Sequence, residues 1–199
     1  MNKYFHIVLI SIIALFGCNS SASKKVLIMG RGTISANGND ITMKDGTGYA
    51  EETIELSGDK PETRSVTTPS GTTKIEIPGE KGLYILNLKT DTVVGSQQII
   101  GTDISSTRVI TQEELKKKID SLTKLTTGAN VSAAGHNYII FPNQLKKITD
   151  NADAKAFGPF NKIPGTLEAD KNGKAPEIYK FYTNSEIRDL IVSLKKMTY

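Results

Sequence analysis

The sequence predicts an α+β protein: an N-terminal antiparallel β-sandwich or small barrel, followed by a smaller α+β module with two amphipathic helices. Three observations carry this expectation. Residues 26–100 hold short apolar runs separated by Gly, Pro and Asn turns, the rhythm of an all-β unit. Two capping boxes, Thr111/Glu114 and Thr183/Glu186, each head an apolar stripe at helical period. The charge balance shifts where the pattern changes. Residues 24–110 carry 10 basic and 11 acidic groups, and residues 111–199 carry 14 and 10. This places a module boundary near 106–111.

The strands follow in order. Residues 26–29 form a first apolar run, and Thr33-Ile34-Ser35 leads into Asn37-Gly38, the strongest short hairpin signal. Ile41-Thr42-Met43 alternates and is expected to end at Asp45-Gly46. Residues 49–56 place Ile54 and Leu56 on one face. Pro69-Ser70-Gly71 divides 64–67 from 72–77, and Pro78-Gly79 makes the next turn. Residues 83–88 are the most apolar stretch, expected at the centre of a sheet. Val93-Val94 and Ile99-Ile100 follow, split by Gly95. No helical period interrupts these runs, which argues against a βαβ unit.

In the second part, Leu115, Ile119, Leu122 and Leu125 share one helix face, with Gly128 placed to close the helix. Residues 138–141 read as a strand stopped by Pro142. Residues 143–150 fit a short helix or a strand, 156–165 a loop, and 177–182 a further strand. Ile187, Leu190, Ile191, Leu194 and Met197 form the stripe of a final helix, whose last turn carries Lys195 and Lys196, the sign the helix dipole favours.

Composition removes several functional classes. With 38% apolar and 23% charged residues the chain is not intrinsically disordered. Its one cysteine forms no internal disulfide and supplies no thiolate cluster. Two histidines, His6 and His136, exclude a His-rich metal site. No cofactor or metal is expected.

The N-terminus states an address. Lys3 precedes residues 4–16, a run of 13 whose only ionisable side chain of variable charge is His6. That is too short to span a bilayer, which takes about 20 apolar residues, and it fits the apolar core of a secretory signal. Leu15-Phe16-Gly17-Cys18 then resembles a bacterial lipobox, with Phe16 larger than the usual residue at its position. The resemblance implies a signal peptide over 1–17, lipidation of Cys18 and a lipidated tether over 18–25. A β-rich module over 26–108 and an α+β module over 109–199 would follow. Several acyl chains on one residue anchor stably, since each buried CH₂ contributes about 0.8 kcal/mol. Asn19 is not the aspartate that retains some such lipoproteins in the inner membrane. The expected location is therefore the outer membrane. The tether lacks an acidic export cluster, which favours a periplasm-facing position over surface exposure.

Other motifs carry little chemistry. Gly30-Arg31-Gly32 follows a strand but lacks the helix that a phosphate loop needs; a strand bend is expected. Ser121-Leu122-Thr123-Lys124 and Ser193-Leu194-Lys195-Lys196 resemble the S-x-x-K of penicillin-binding enzymes. Both serines fall deep in helices, and neither K-T-G nor S-D-N occurs. His136 has no Gly-x-Ser-x-Gly or cysteine partner in the sequence. Glu51/Glu52 and Glu113/Glu114 are sequence neighbours, a poor arrangement for paired-carboxylate hydrolysis. Asp91-Thr92-Val93 and Asp120-Ser121-Leu122 resemble a short O-glycosylation pattern, plausible only at Thr92. Lys116-Lys117-Lys118, Lys146-Lys147 and Lys195-Lys196 read as solvated faces or as a contact for an anionic envelope polymer or lipid head group.

The expected function is a membrane-anchored, non-catalytic binding or structural module. Its expected partners are the membrane through Cys18 and an envelope protein or anionic envelope polymer, with no nucleic acid. The alternative is an envelope hydrolase using carboxylate or serine chemistry. Metabolic labelling with a fatty acid tests the anchor: wild type should incorporate label and Cys18→Ser should not. Equal labelling would refute the lipobox assignment.

Overall fold

A computed structural model describes residues 23–98, 111–129, 131–132, 134–159, 161–164, 167 and 175–197. Cys18 and the boundary at 106–110 lie outside the described residues, as do Ile99-Ile100. Ten strands and two helices appear among them: β1 Ser23–Asn37, β2 Asp40–Ser57, β3 Glu62–Thr68, β4 Gly71–Ile77, β5 Gly82–Asn87, β6 Val93–Gln98, α1 Gln112–Thr126, β7 Asn137–Ile140, β8 Gln144–Thr149, β9 Lys155–Phe157, β10 Ile178–Thr183 and α2 Asn184–Lys196. The fold is β-rich. One sheet has the order β4-β3-β2-β1-β5-β8 and a second the order β7-β6-β10-β9.

Strand alternation explains how the layers stack. Successive side chains of a strand point to opposite faces. In β1, Val26 and Ile28 enter one apolar cluster, while Leu27 and Met29 enter another. β5 divides likewise, with Tyr84 and Leu86 on one side and Leu83 and Ile85 on the other. The first cluster adds Ile41, Leu56, Val66, Ile75 and Ile77, all from the same sheet. That sheet therefore curls around its own inner face and nearly closes into a barrel. The second cluster adds Val93, Tyr138, Ile140, Tyr179 and Phe181 from the four-stranded sheet. That sheet's far face carries Val94 and Ile139 and is covered by Leu122 and Leu125 of α1 and Ile187 of α2.

The bend in the first sheet lies where β1 and β2 change register between Arg31 and Thr33. Gly32, at φ +96°, sits against β2 so closely that a Cβ there would lie 2.0 Å from the Lys44 carbonyl oxygen. A Cβ on Gly46 would lie 2.6 Å from the Gly32 Cα. Both positions require glycine. The expected stop at Asp45-Gly46 is thus corrected: β2 runs on to Ser57 and absorbs the extra residues as a bulge. The Asn37-Gly38 hairpin forms, closing one residue later on a Gly38-Asn39 loop with Asn37 paired to Asp40. Gly95 does not split a strand either. It stays inside β6 opposite Phe181, whose ring fills the space, only 2.3 Å from where a Cβ would stand.

The antiparallel expectation is also corrected. β1 with β5, β2 with β3, and β9 with β10 pair in parallel. The reason is legible in β5, where all six residues are buried; a continuous apolar run without a polar face is the mark of a strand covered on both sides. β1 begins at Ser23, inside the expected tether. On either side of 106–110 the strands are exchanged. β8 hydrogen-bonds to β5 in the first sheet, and β6 pairs with β7 and β10 in the second. Residues 143–150 resolve as a strand, and part of 156–165 belongs to β9.

Both helices start where their capping boxes lie. The Thr111 and Thr183 hydroxyls accept the N–H of Glu114 and Glu186, and each glutamate accepts the cap's own N–H. Gly128, at φ +73°, ends α1. Its N–H donates to Leu125 O and that of Ala129 to Lys124 O, a Schellman closure. Ile187 of α2 is fully buried, whereas Leu190 is half-buried. Ile187→Ala should therefore cost about 2–5 kcal/mol, and Leu190→Ala should cost less. Thr183→Ala should cost about 1 kcal/mol. Thermal melts of the three variants, each a single transition because both sheets draw on both halves of the chain, check the order.

Candidate functional site

The bulge and the end of β5 together form an open pocket. Arg31 and Tyr49 are the cross-strand pair that borders the register shift, and Lys89 follows the last residues of β5. The pocket has a volume of about 490 Å³, and Ser70, Thr90 and Asn143 contribute hydroxyl and amide groups to its lining. The Tyr49 ring is 41% exposed. Lys89 Nζ lies 4.4 Å and Arg31 Cζ 5.4 Å from its centroid, both within cation–π reach. Arg31 Nη2 also donates to Tyr49 Oη at 3.4 Å. Asp45 and Asp91 add carboxylates to the lining, and Met43, Leu88 and Pro142 add apolar surface.

Asn87 fixes this end of the molecule. Its side chain is fully buried. Its Nδ2 donates to the carbonyls of Asp91 at 2.9 Å and Ile140 at 3.1 Å, and its Oδ1 accepts the Lys89 N–H at 3.1 Å. Its own carbonyl accepts the Asn143 N–H at 2.6 Å. One residue thus ties β5 to β7 and holds the backbone of Lys89. Asn143, at φ +58°, takes the left-handed turn that asparagine tolerates and turns the chain from β7 into β8. Only 5% of Lys89 is exposed. Burial lowers its pKa, against the attraction of Asp91 and Glu186.

Behind the pocket, a charged cluster joins the sheets. Glu51, two residues beyond Tyr49, is held by hydrogen bonds to the Asn161 side chain and the Gly158 backbone. Lys180 of β10 is buried and donates to the carbonyls of Gly158 at 2.6 Å and Asn161 at 2.8 Å. Gly158 makes room for this carboxylate: a Cβ there would lie 1.9 Å from Glu51 Oε1 and would displace it. Burial raises the Glu51 pKa, opposed by these hydrogen bonds and by Lys180 and Lys89. It lowers that of Lys180.

His136 lies at the opposite end. It is exposed, at φ +51°, with Nδ1 3.4 Å from Tyr179 Oη. Tyr179 donates to Glu177, and Asn151 Nδ2 donates to Glu177 at 3.1 Å. Burial and the Glu177 carboxylate raise the Tyr179 pKa. The histidine thus stands beside a buried Tyr–Glu pair, a different arrangement from a Ser–His–Asp relay.

The remaining sequence candidates are dispersed. Gly32 forms the strand bend. Ser121 and Ser193 lie inside helices, where Ser193 donates to the Asp189 carbonyl at 2.9 Å and Lys124 pairs with Asp120 at 2.7 Å. Thr92 is half-buried just before β6. Glu51 turns inward and Glu52 is exposed, as strand neighbours should. Lys147 bridges Glu80 and Asp150. Tyr49, Arg31 and Lys89 escaped the sequence reading; the available signal was a lysine directly after the fully buried β5 run. Among the described residues no group of three or more His, Cys, Asp or Glu could hold a metal ion, and no helix is long and apolar enough to cross a membrane. No family model, curated protein or solved structure matches the chain.

The Glu51 carboxyl has a raised pKa in the fold. Its protonated form is therefore favoured by folding, and its contribution is most favourable at or below the ordinary value of 4.5. That contribution is lost as pH rises through the raised folded value. Glu51→Gln does not titrate. Chemical denaturation at pH 4 and pH 7 should show wild type losing stability relative to Glu51→Gln at the higher pH; a constant difference would show that Glu51 is not perturbed.

Proposed function

We propose that the protein is a lipid-anchored binding module of the cell envelope, fixed to the outer membrane through Cys18 and facing the periplasm. In this reading the Arg31–Tyr49–Lys89 pocket takes an acidic, hydroxyl-bearing envelope polymer. The observation that carries the ligand class is the pair of cations held against one exposed tyrosine ring. A carboxylate of the ligand can reach the exposed Arg31, beside the buried Lys89, and charge-assisted hydrogen bonds are roughly twice as strong as neutral ones. Ser70, Thr90 and Asn143 offer partners to ligand hydroxyls. The lipobox and the short apolar run before it support the anchor. The two amphipathic helices back the second sheet, while the end of the first sheet and the turn at Asn143 present the pocket.

Binding of a uronic-acid oligosaccharide, followed by calorimetry on the purified protein in detergent, tests the ligand class. Arg31→Met should weaken binding about 10-fold or more, the scale of one charge-assisted bond. Tyr49→Ala should weaken it about 3-fold, the scale of an exposed cation–π contact and its ring. The neutral sugar analogue should bind less tightly than the acid. Equal affinity for acid and neutral sugar, or no effect of Arg31→Met in a variant that melts normally, would overturn the assignment.

A further inference from the structure

The two helices meet end to end in an antiparallel pair. Gln112 Nε2, in the first turn of α1, donates to the Met197 carbonyl at the end of α2 at 3.4 Å. This brings Lys116, Lys117 and Lys118 near Lys195 and Lys196, all five exposed. The acidic residues on the neighbouring turns are Glu113, which pairs with Lys117 at 2.7 Å, Glu114, which caps α1, and Asp120, which pairs with Lys124 at 2.7 Å. The end is therefore strongly basic. It also carries apolar surface: Met197 is 65% and Val192 52% exposed. Basic residues beside exposed apolar ones are the mark of a helix surface that rests on a membrane.

Topology shows which end of the molecule this is. α2 begins one residue after β10 ends, yet Ile187 packs on Val94 and lies in one cluster with Ile139 of the same sheet. The helix must reverse direction and run back toward the start of β10. There Tyr179 reaches the side chain of Thr149. Thr149 is the register partner of Leu83, adjacent to Gly82, which is paired with Lys24. The basic helix ends thus lie toward the end of the molecule where β1 begins at Ser23. Five peptide links join Cys18 to Ser23, a span of at most about 18 Å. The Arg31–Tyr49–Lys89 pocket, past the far end of β5, lies at the other end.

We infer that the lysine-rich end of the helix pair docks on an anionic phospholipid surface and sets the protein upright on its anchor, with the pocket directed away from the bilayer. The orientation rests on the proposed lipidation of Cys18, whereas the surface contact itself does not. One acyl signal combined with a basic patch strengthens attachment, and a tether this short keeps the patch at high effective concentration over the membrane.

Residues 19–199 contain every apolar cluster described above and lack the anchor, so they isolate the patch. Co-sedimentation with vesicles of phosphatidylcholine alone, or of phosphatidylcholine mixed with phosphatidylglycerol, is the measurement. Binding should occur on the anionic vesicles only and fall with added salt. Each lysine near a charged surface contributes about 1 kcal/mol, or about fivefold. The triple variant Lys116→Gln/Lys195→Gln/Lys196→Gln should accordingly bind on the order of 100-fold more weakly. A matched triple variant elsewhere, Lys44→Gln/Lys74→Gln/Lys162→Gln, should bind nearly as wild type. Equal binding to both vesicle types, equal loss in both variants, or retention on a soluble polyanion without vesicle binding would each overturn the inference. Fatty-acid labelling of full-length wild type against Cys18→Ser reports separately on the anchor, so failure of one reading is distinguishable from failure of the other.

Discussion

The architecture depends on two adjacent parallel segments without a polar face, residues 26–29 of β1 and 83–86 of β5. β1 and β5 bury alternate side chains on opposite sides, so each must be covered twice. Curling of their own sheet covers one side, and the four-stranded sheet covers the other. Burying a Val, Leu or Ile side chain contributes roughly 1.5–3 kcal/mol, and Val26, Leu27, Ile28 and Met29 are all at most 6% exposed. A polar substitution anywhere in this run faces an apolar cluster whichever way it points. The layer order of the whole molecule follows: curled sheet, flat sheet, helices.

The polar features of the protein lie where this apolar sandwich ends. Asn87 closes β5 by satisfying the carbonyls of Asp91 and Ile140, which would otherwise be buried without partners at a cost of about 1–3 kcal/mol each. Immediately beyond it the chain carries Lys89. The charges of Glu51 and Lys180 reach the Gly158–Asn161 loop from the two sheets. Perturbed groups grouped beside an open pocket are a physical reason to place function there. The pocket walls are backbone-determined. The Gly32–Gly46 contact sets the bulge, and the bulge sets where Arg31 and Tyr49 stand.

Local signals were the legible part of the sequence. Both capping boxes, the Gly128 closure, the hairpin at residues 37–40 and the strand at residues 137–140 depend on neighbours in the chain, and each lies within a residue or so of its reading. Pairing partners were not legible. Nothing near Val93 announces that it will join residues 137–140 and 178–183 and leave the preceding strands. Glycine was read as punctuation, yet Gly95 makes room for the Phe181 ring and Gly46 for a second glycine on the next strand. Those roles exist only once the partner strand is in place. The pocket was invisible for the same reason: Arg31, Tyr49 and Lys89 are far apart in the chain, and the one motif among them, Gly30-Arg31-Gly32, points only to a strand bend.

The exchange of strands between the two halves also governs the order in which the chain can fold. Contacts of large sequence separation form late, because loop closure must precede any reward. The first 98 residues can build the curled sheet's inner face, but they leave Leu27, Met29, Leu83 and Ile85 without cover. The first sheet lacks its last strand until β8 is made, and β6 lacks both neighbours until β7 and β10 arrive. A chain synthesised N-terminus first thus holds these strands uncovered through most of its synthesis, until Tyr179 and Phe181 roof the strands made first.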